Sequence, residues 1–227
     1  IVTAKYWQQV QENKLHMSVS DSGWAKFGWG KIYGQWCCGS TIFAYDMDKF
    51  VPKKLLETIQ KYKITTFCAP PTMYRFMLQE KVSDYDLTSV ENWATAGEPL
   101  NPEVFNQWLE FTGGKIHTGF GQTEGTVLLA DFKWVEPVPG AMGKPSPIYD
   151  LKLFNENNEV CENGEEGEIV ICDVINNPPV GLFVGYYKNE EQTNNAFTNG
   201  DYNLKDVAWR DNDGYFWFVG RHDDVIK

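Results

Sequence analysis

Gln122, Thr123 and Glu124 stand together within KIHTGFGQTEGTVLLA (115–130), on a bend bracketed by Gly119, Gly121 and Gly125. A hydroxyl beside a carboxylate on a compact glycine-rich turn can bind phosphate oxygens and a magnesium ion together, because a hard cation takes oxygen ligands. The flanks read as a short strand over 115–118 and an apolar strand over 126–130, so the three polar residues fall in the connection between them.

The elements that must position this bend follow a regular alternation. From residue 40 the chain reads STIFAY (40–45), a helix over 52–61, ITTFCA (64–69), a helix over 72–80, NWATA (92–96), a helix over 102–111 and then KIHT. Short β-rich runs alternating with helical ones predict βαβ units and a parallel sheet, hence an α/β fold. Pro52 and Pro102 fall in the first turn of their helices, where a missing N–H costs nothing. Ligands of such sheets bind beyond the carboxyl ends of the strands, at the turns 69–71, 97–99 and 119–124, which therefore converge on one crevice.

Upstream, 1–14 is expected to form an amphipathic helix with Tyr6, Trp7 and Val10 as its apolar positions. An aromatic run interrupted by glycines at 23, 28, 30, 34 and 39 is expected to form a close-packed helix. Beyond Pro137 the composition shifts to Pro and Gly. The runs YDLKLF (149–154), GEIVIC (167–172) and GLFVGYY (181–187) then predict a small β-rich subdomain shaped as a distorted barrel. A short helix over 190–197 and a hairpin turning at Asp213-Gly214, with aromatic cross-strand pairs, complete it. The expected division is an α/β subdomain over 1–136 and a β-rich subdomain over 137–222.

Composition excludes several classes. A formal charge of −11 argues against a nucleic-acid or anionic-membrane surface, since either needs a basic patch. Five cysteines without a C-x-x-C pair indicate buried reduced thiols rather than a disulfide frame or zinc site, and point to a cytoplasmic protein. No signal peptide is read, nor an apolar run long enough to cross a membrane. His16, His117 and His222 do not cluster, so no metal set or catalytic triad is read; His117 is expected to be a packed core residue. Ile1 is not an initiator Met, and the sequence reads as a piece of a longer chain.

Three segments, ATAGEPL (94–100), GQTE (121–124) and LKDVAWRDNDGYFWFVGRHDDVIK (204–227), together resemble the nucleotide-binding motifs of the adenylate-forming superfamily. The superfamily comprises acyl-CoA synthetases, the adenylation domains of peptide synthetases, and luciferase. The likeness covers nearly the whole chain and is strongest to the acetyl- and medium-chain acyl-CoA synthetases, whose GEP, G-Q-T-E and D-x-D-G-Y…G-R-x-D-D elements recur in the same order. It implies an ATP-dependent, magnesium-requiring ligase that converts a carboxylic acid to acyl-AMP and passes the acyl group to coenzyme A.

The resemblance also assigns residues. The backbone of Gly97, Glu98 and Pro99 would lie along the purine, with Phe120 packed on the ring and Gly121 and Gln122 beside it. Thr123 would donate to the α-phosphate, and Glu124 would hold magnesium. Two aspartates compete for the ribose: Asp201, in a T-G-D-like context, and Asp206. The family's ribose aspartate precedes the glycine of D-G-Y by eight residues, which selects Asp206, with Arg221 as the second ribose contact. Lys205 and Leu204 replace the usual glycine and threonine before it, a departure that bears on the local backbone. Trp24, Ala25, Ala96 and Gly121 would line the acyl pocket. Gly121 occupies the position where two-carbon specialists carry a tryptophan, so an acid longer than acetate is expected.

Asp223 would begin a hinge, over 223–227, to a mobile C-terminal domain that carries the catalytic lysine. The glycine-rich, lysine-ended phosphate loop would precede Ile1. The isolated stretch is accordingly expected to be inactive and to depend on the remaining parts of the same chain. Two alternatives stay open: an amino- or aryl-acid adenylation domain serving a carrier protein, and a non-catalytic nucleotide-binding remnant.

Overall fold

The computed structural model describes residues 1–47 and 49–221 and carries two sheets. The first contains β1 (Leu15–Ser18), β2 (Thr41–Ile42), β3 (Thr66–Ala69), β4 (Asn92–Ala96), β5 (Ile116–Phe120), β6 (Leu129–Ala130) and β7 (Lys144–Pro145), in the order β2-β1-β3-β4-β5-β6-β7. The first five are mutually parallel, and β6 and β7 continue the sheet antiparallel. Every residue of β3 is buried, which is why it reads as an unbroken apolar run rather than an alternation.

Helices α1 (Ala25–Phe27) and α2 (Tyr33–Cys37) precede the longer α3 (Pro52–Tyr62), α4 (Pro71–Met77) and α5 (Pro102–Thr112). Each of the last three begins on a proline. The Asn101 side chain caps α5 by accepting from the Glu103 N–H, and Gly113, at φ 71°, ends it. Leu55, Leu56 and Ile59 of α3, Tyr74 and Met77 of α4, and Phe105 and Trp108 of α5 pack on Met17, Phe67 and Trp93 of the sheet. Trp108 meets Tyr74 and Trp93 edge-on, each at a ring-centroid distance of 4.9 Å, so the helical layer is fixed by aromatic packing.

The second sheet is antiparallel: β8 (Leu151–Phe154), β9 (Glu166–Ile171), β10 (Phe197–Thr198) and β11 (Asp201–Arg210) run in the order β10-β11-β9-β8, with β12 (Phe216–Arg221) on β11. Helix α6 (Glu190–Ala196) leads into β10. The core of this sheet joins Leu151, Leu153, Ile169 and Ile171 to Tyr202, Leu204 and Phe216, and includes Leu129 of β6 and the preceding Leu128. The expected fold class is therefore present: a parallel βαβ layer followed by a curled β-rich part. Trp209 stacks on Trp217 across the β11–β12 hairpin with 9° between the rings.

Four local expectations are corrected. Residues 1–14 form one wide π turn (Thr3–Trp7) rather than a helix, because Gln9 and Asn13 take positive φ, and β1 follows directly. The glycine-interrupted run is broken into α1, a π turn (Gly28–Ile32) and α2. Of the apolar strands read over 40–45 and 126–130, only Thr41–Ile42 and Leu129–Ala130 pair in the sheet. GLFVGYY is no strand: Gly181 and Gly185 adopt positive φ, and only an isolated bridge joins Leu182 to Gly125. Among the thiols, Cys68 and Cys161 are buried as expected, whereas Cys37 is exposed.

Candidate functional site

The turns that follow β3, β4 and β5 open into a cleft of about 1430 Å³ that β11 and β12 also line. The Gly97-Glu98-Pro99 turn, the bend 120–124, Asp206 and Arg221 all border it, together with Trp24, Ala25 and Ala96. Trp24 is 70% exposed, at its open edge. Asp223 and the rest of 222–227 lie outside the described residues.

Local geometry explains how the turns hold their shape. Gly97 adopts φ 109°, a conformation that strains any residue with a Cβ. Glu98 Oε1 accepts from the Thr72 N–H at 2.8 Å and from Thr72 Oγ1 at 2.5 Å, which ties this carboxylate to the start of α4. Gly119 is pressed against the indole of buried Trp7, 2.4 Å from where a Cβ would lie. The bend closes through the Gln122 N–H to Gly125 O at 3.1 Å. The segment after Gly181 straps it from outside: Phe183 N–H donates to Glu124 O at 2.7 Å, and Thr126 N–H to Gly181 O at 3.3 Å.

Side chains link the bend to β11. Tyr186 OH donates to Glu124 Oε1 at 2.9 Å. Gln122 Nε2 donates to Asp206 Oδ2 at 2.5 Å and to Leu204 O at 2.8 Å, while its Oε1 accepts from Tyr202 OH at 3.0 Å. Burial and then the Glu124 carboxylate push the Tyr186 phenol up to about 12. Burial, followed by the charge of Glu124, raises Tyr202 further still, so both phenols remain protonated donors.

Asp206 is 4% exposed and lies on the buried face of β11 with Tyr202, Leu204 and Ala208, opposite Arg221 in the β12 register. The β9 register shifts between Asn203 and Val207, and this irregularity contains Lys205 at φ 64°. Lys205 thus takes the left-handed conformation that a glycine would take. Asn203 Oδ1 supports it by accepting the Lys205 N–H at 2.7 Å.

Neighbouring titratable groups are structural. His16 bonds Thr66 Oγ1 and Gly30 O, and burial lowers it to about 4, leaving it neutral. Burial also lowers His117, which contacts Asp131 O. Burial pushes Asp131 up to about 8; its Oδ2 accepts from the Thr118 N–H at 2.7 Å. Among the described residues no group of three or more His, Cys, Asp or Glu could hold a metal. Glu124 offers a hard oxygen donor on the bend that borders the cleft, which suits magnesium, an ion held by one or two carboxylates with phosphate and water supplying the rest.

Lys26, Tyr186 and Tyr202 border the cleft without having been singled out in the sequence. Tyr202 could have been found from its spacing, since residues four apart on a strand share a face. Tyr186 was hidden by the reading of its segment as a strand. Lys26 Nζ donates to Ala96 O at 3.1 Å, an end-of-strand contact that spacing does not encode.

The strand-end turns of a parallel sheet and a carboxylate–guanidinium pair thus border one cleft, the place where ligands of α/β sheets bind. The chain belongs to the AMP-binding enzyme family, whose model matches residues 2–187. It is 39% identical over 225 residues to mouse mitochondrial acyl-coenzyme A synthetase ACSM3, covering 99% of this chain and 39% of that protein. It is 37% identical over 220 residues to 4-hydroxybutyrate–CoA ligase 1 of Metallosphaera sedula, covering 96% and 38%. Among solved structures it matches the anthranilate CoA ligase AuaEII in complex with anthranoyl-AMP, with TM-score 0.86, 27% identity and coverage of 96% and 41%. It also matches a Brucella canis acyl-CoA synthetase, with TM-score 0.87, 25% identity and coverage of 99% and 41%. The chain thus spans about two-fifths of the length of these relatives.

The expectation of a cytoplasmic protein is overturned, because the mammalian ACSM3 and ACSM4 relatives are mitochondrial. Unpaired thiols and a lack of apolar spans do not specify a compartment. No helix among the described residues is long and apolar enough to cross a membrane.

Proposed function

We propose that this chain forms the nucleotide- and acid-binding part of an AMP-forming acyl-CoA synthetase acting on an acid longer than acetate. The observation that carries the reading is the meeting of the Gly97 turn, the Gln122-Thr123-Glu124 bend and the Asp206–Arg221 pair on one cleft. In this reading the α/β part extends over 1–136 and the β-rich part over 137–222, with a hinge from Asp223.

The acid's carboxylate attacks the α-phosphorus of ATP, forming acyl-AMP and releasing pyrophosphate; the coenzyme A thiol then displaces AMP, forming the thioester and releasing a proton. Catalysis of the first step is positioning and charge neutralisation. The backbone at 97–99 and the ring of Phe120 hold the purine, while Asp206 accepts from the ribose hydroxyls and Arg221 donates to them. Thr123 donates to the α-phosphate. Glu124 would hold magnesium, which supplies neutralisation of the phosphate charge. Ala25, Ala96 and Gly121 leave the acid's path open, with Trp24 at its edge.

The relatives named as CoA ligases support the coenzyme A acceptor over a carrier protein. The test is AMP release by the full-length protein across a panel of acids, with and without coenzyme A. Coenzyme A-dependent release, with kcat/KM higher for butyrate and longer acids than for acetate, is expected. Release without coenzyme A, or a preference for acetate, contradicts the reading. The 227-residue stretch alone is expected to bind nucleotide weakly and to catalyse no pyrophosphate exchange.

A further inference from the structure

Gln122 is held in one orientation by three contacts of matched polarity. Its Nε2 faces two groups that only accept, Leu204 O and the Asp206 carboxylate, and its Oε1 faces a donor, Tyr202 OH. A flipped amide would set oxygen against two acceptors and leave the phenol facing an N–H pair. The two acceptors therefore fix which way the amide faces, and the Tyr202 hydroxyl anchors its oxygen end. Its ring is fixed in turn: Tyr202 is 2% exposed and packs on Phe183 and Phe197 at centroid distances of 5.4 and 5.3 Å.

The need for such support lies next door. Lys205 holds φ 64° in a strand whose pairing with β9 is interrupted there, so Leu204 has no register partner on β9, while Asp206 keeps Arg221 on β12. Gln122 bonds both. It joins the irregular part of β11 to the bend that follows β5.

We infer that Tyr202, acting through Gln122, is a positioning residue that presents Asp206 to the ribose hydroxyls. The inference rests on the reading of Asp206 as the ribose acceptor. Tyr202 itself touches no reacting atom; it sets how well the cleft distinguishes a ribonucleotide from one lacking both hydroxyls.

The test is calorimetric binding of ATP and of 2′,3′-dideoxy-ATP to the full-length protein and its Tyr202→Phe variant, which keeps the ring and removes one hydroxyl. Loss of one neutral hydrogen bond predicts ATP binding about fivefold weaker, with dideoxy-ATP binding unchanged. Equal weakening of both nucleotides, or no change in either, overturns the inference. Gln122→Met is measured alongside and carries the same expectation, so the test stands even if Tyr202→Phe does not fold. Asp206→Ala separates the two levels. If it keeps the wild-type preference for ATP, the ribose reading itself is wrong; if it abolishes the preference while Tyr202→Phe retains it, only the role of Tyr202 is wrong.

Discussion

Asp206 and Arg221 are register partners across the antiparallel pair of β11 and β12, so a carboxylate and a guanidinium reach one edge of the cleft from the two arms of a single hairpin. The hairpin itself is locked by the Trp209–Trp217 stack and by the turn around Asp211, whose carboxylate accepts from Trp217 Nε1 at 2.9 Å. Arg221→Met keeps the stem and removes the charged donor. It is expected to weaken AMP binding about tenfold in the full-length protein, the scale of a hydrogen bond to a charged group. AMP affinity equal to wild type by calorimetry would count against the assignment.

Tyr186 donates to one oxygen of Glu124, the residue proposed to hold magnesium. Tyr186→Phe removes that donor while keeping the ring contact with Phe183. The magnesium concentration that half-saturates the enhancement of ATP binding is expected to rise about fivefold, read by calorimetry across a magnesium series. Unaltered magnesium dependence would show that the phenol does not steer the carboxylate.

Asp131 gives the fold a pH dependence. Burial raises its pKa from 3.8 to about 8, so between those values the native chain keeps a proton that the unfolded chain releases. Stability from this group is complete below pH 3.8 and declines as pH rises toward 8, by on the order of 1 kcal/mol per pH unit. Asp131→Asn cannot ionise and can still accept from the Thr118 N–H. Urea unfolding should show the variant gaining on wild type from pH 5 to pH 8; a gap that stays constant with pH would refute this.

Gly119 lies at the end of β5 with no space for a side chain, since a Cβ would fall 2.4 Å from the Trp7 indole. Gly119→Ala is expected to destabilise by about 1–3 kcal/mol through overpacking. Denaturant unfolding that leaves the midpoint in place would show that Trp7 moves aside freely.

Much of this arrangement was legible in the sequence, for definable reasons. Helices α3 and α5 are legible because Pro52 and Pro102 mark their first turns, whereas α4 begins at Pro71, inside the stretch read as a turn; β4 is legible as a short β-rich run between two helical ones. Since strands of this kind end on one side of a sheet, the convergence of the three turns followed from the alternation alone. What stayed hidden depends on tertiary contacts. β1 lies in LHMS, whose alternation of apolar and polar residues is only four long and whose polar residues His16 and Ser18 are buried, His16 against Thr66 Oγ1, rather than facing solvent. GLFVGYY has strand-like composition, yet its two positive-φ glycines turn it into the strap that delivers Tyr186 to Glu124. Lys205 departs from the usual glycine, and only the structure shows it adopting a left-handed conformation beside the Asn203 carboxamide.

In the proposed function one adenosine phosphate touches the Gly97 turn, the Gln122-Thr123-Glu124 bend and the Asp206–Arg221 pair simultaneously. A crystal structure of the full-length protein with AMP tests it most directly. Density is expected with the purine along 97–99, the phosphate beside Thr123 and the ribose hydroxyls within hydrogen-bonding distance of Asp206. AMP bound elsewhere, or in this cleft with its ribose turned away from Asp206, would contradict it.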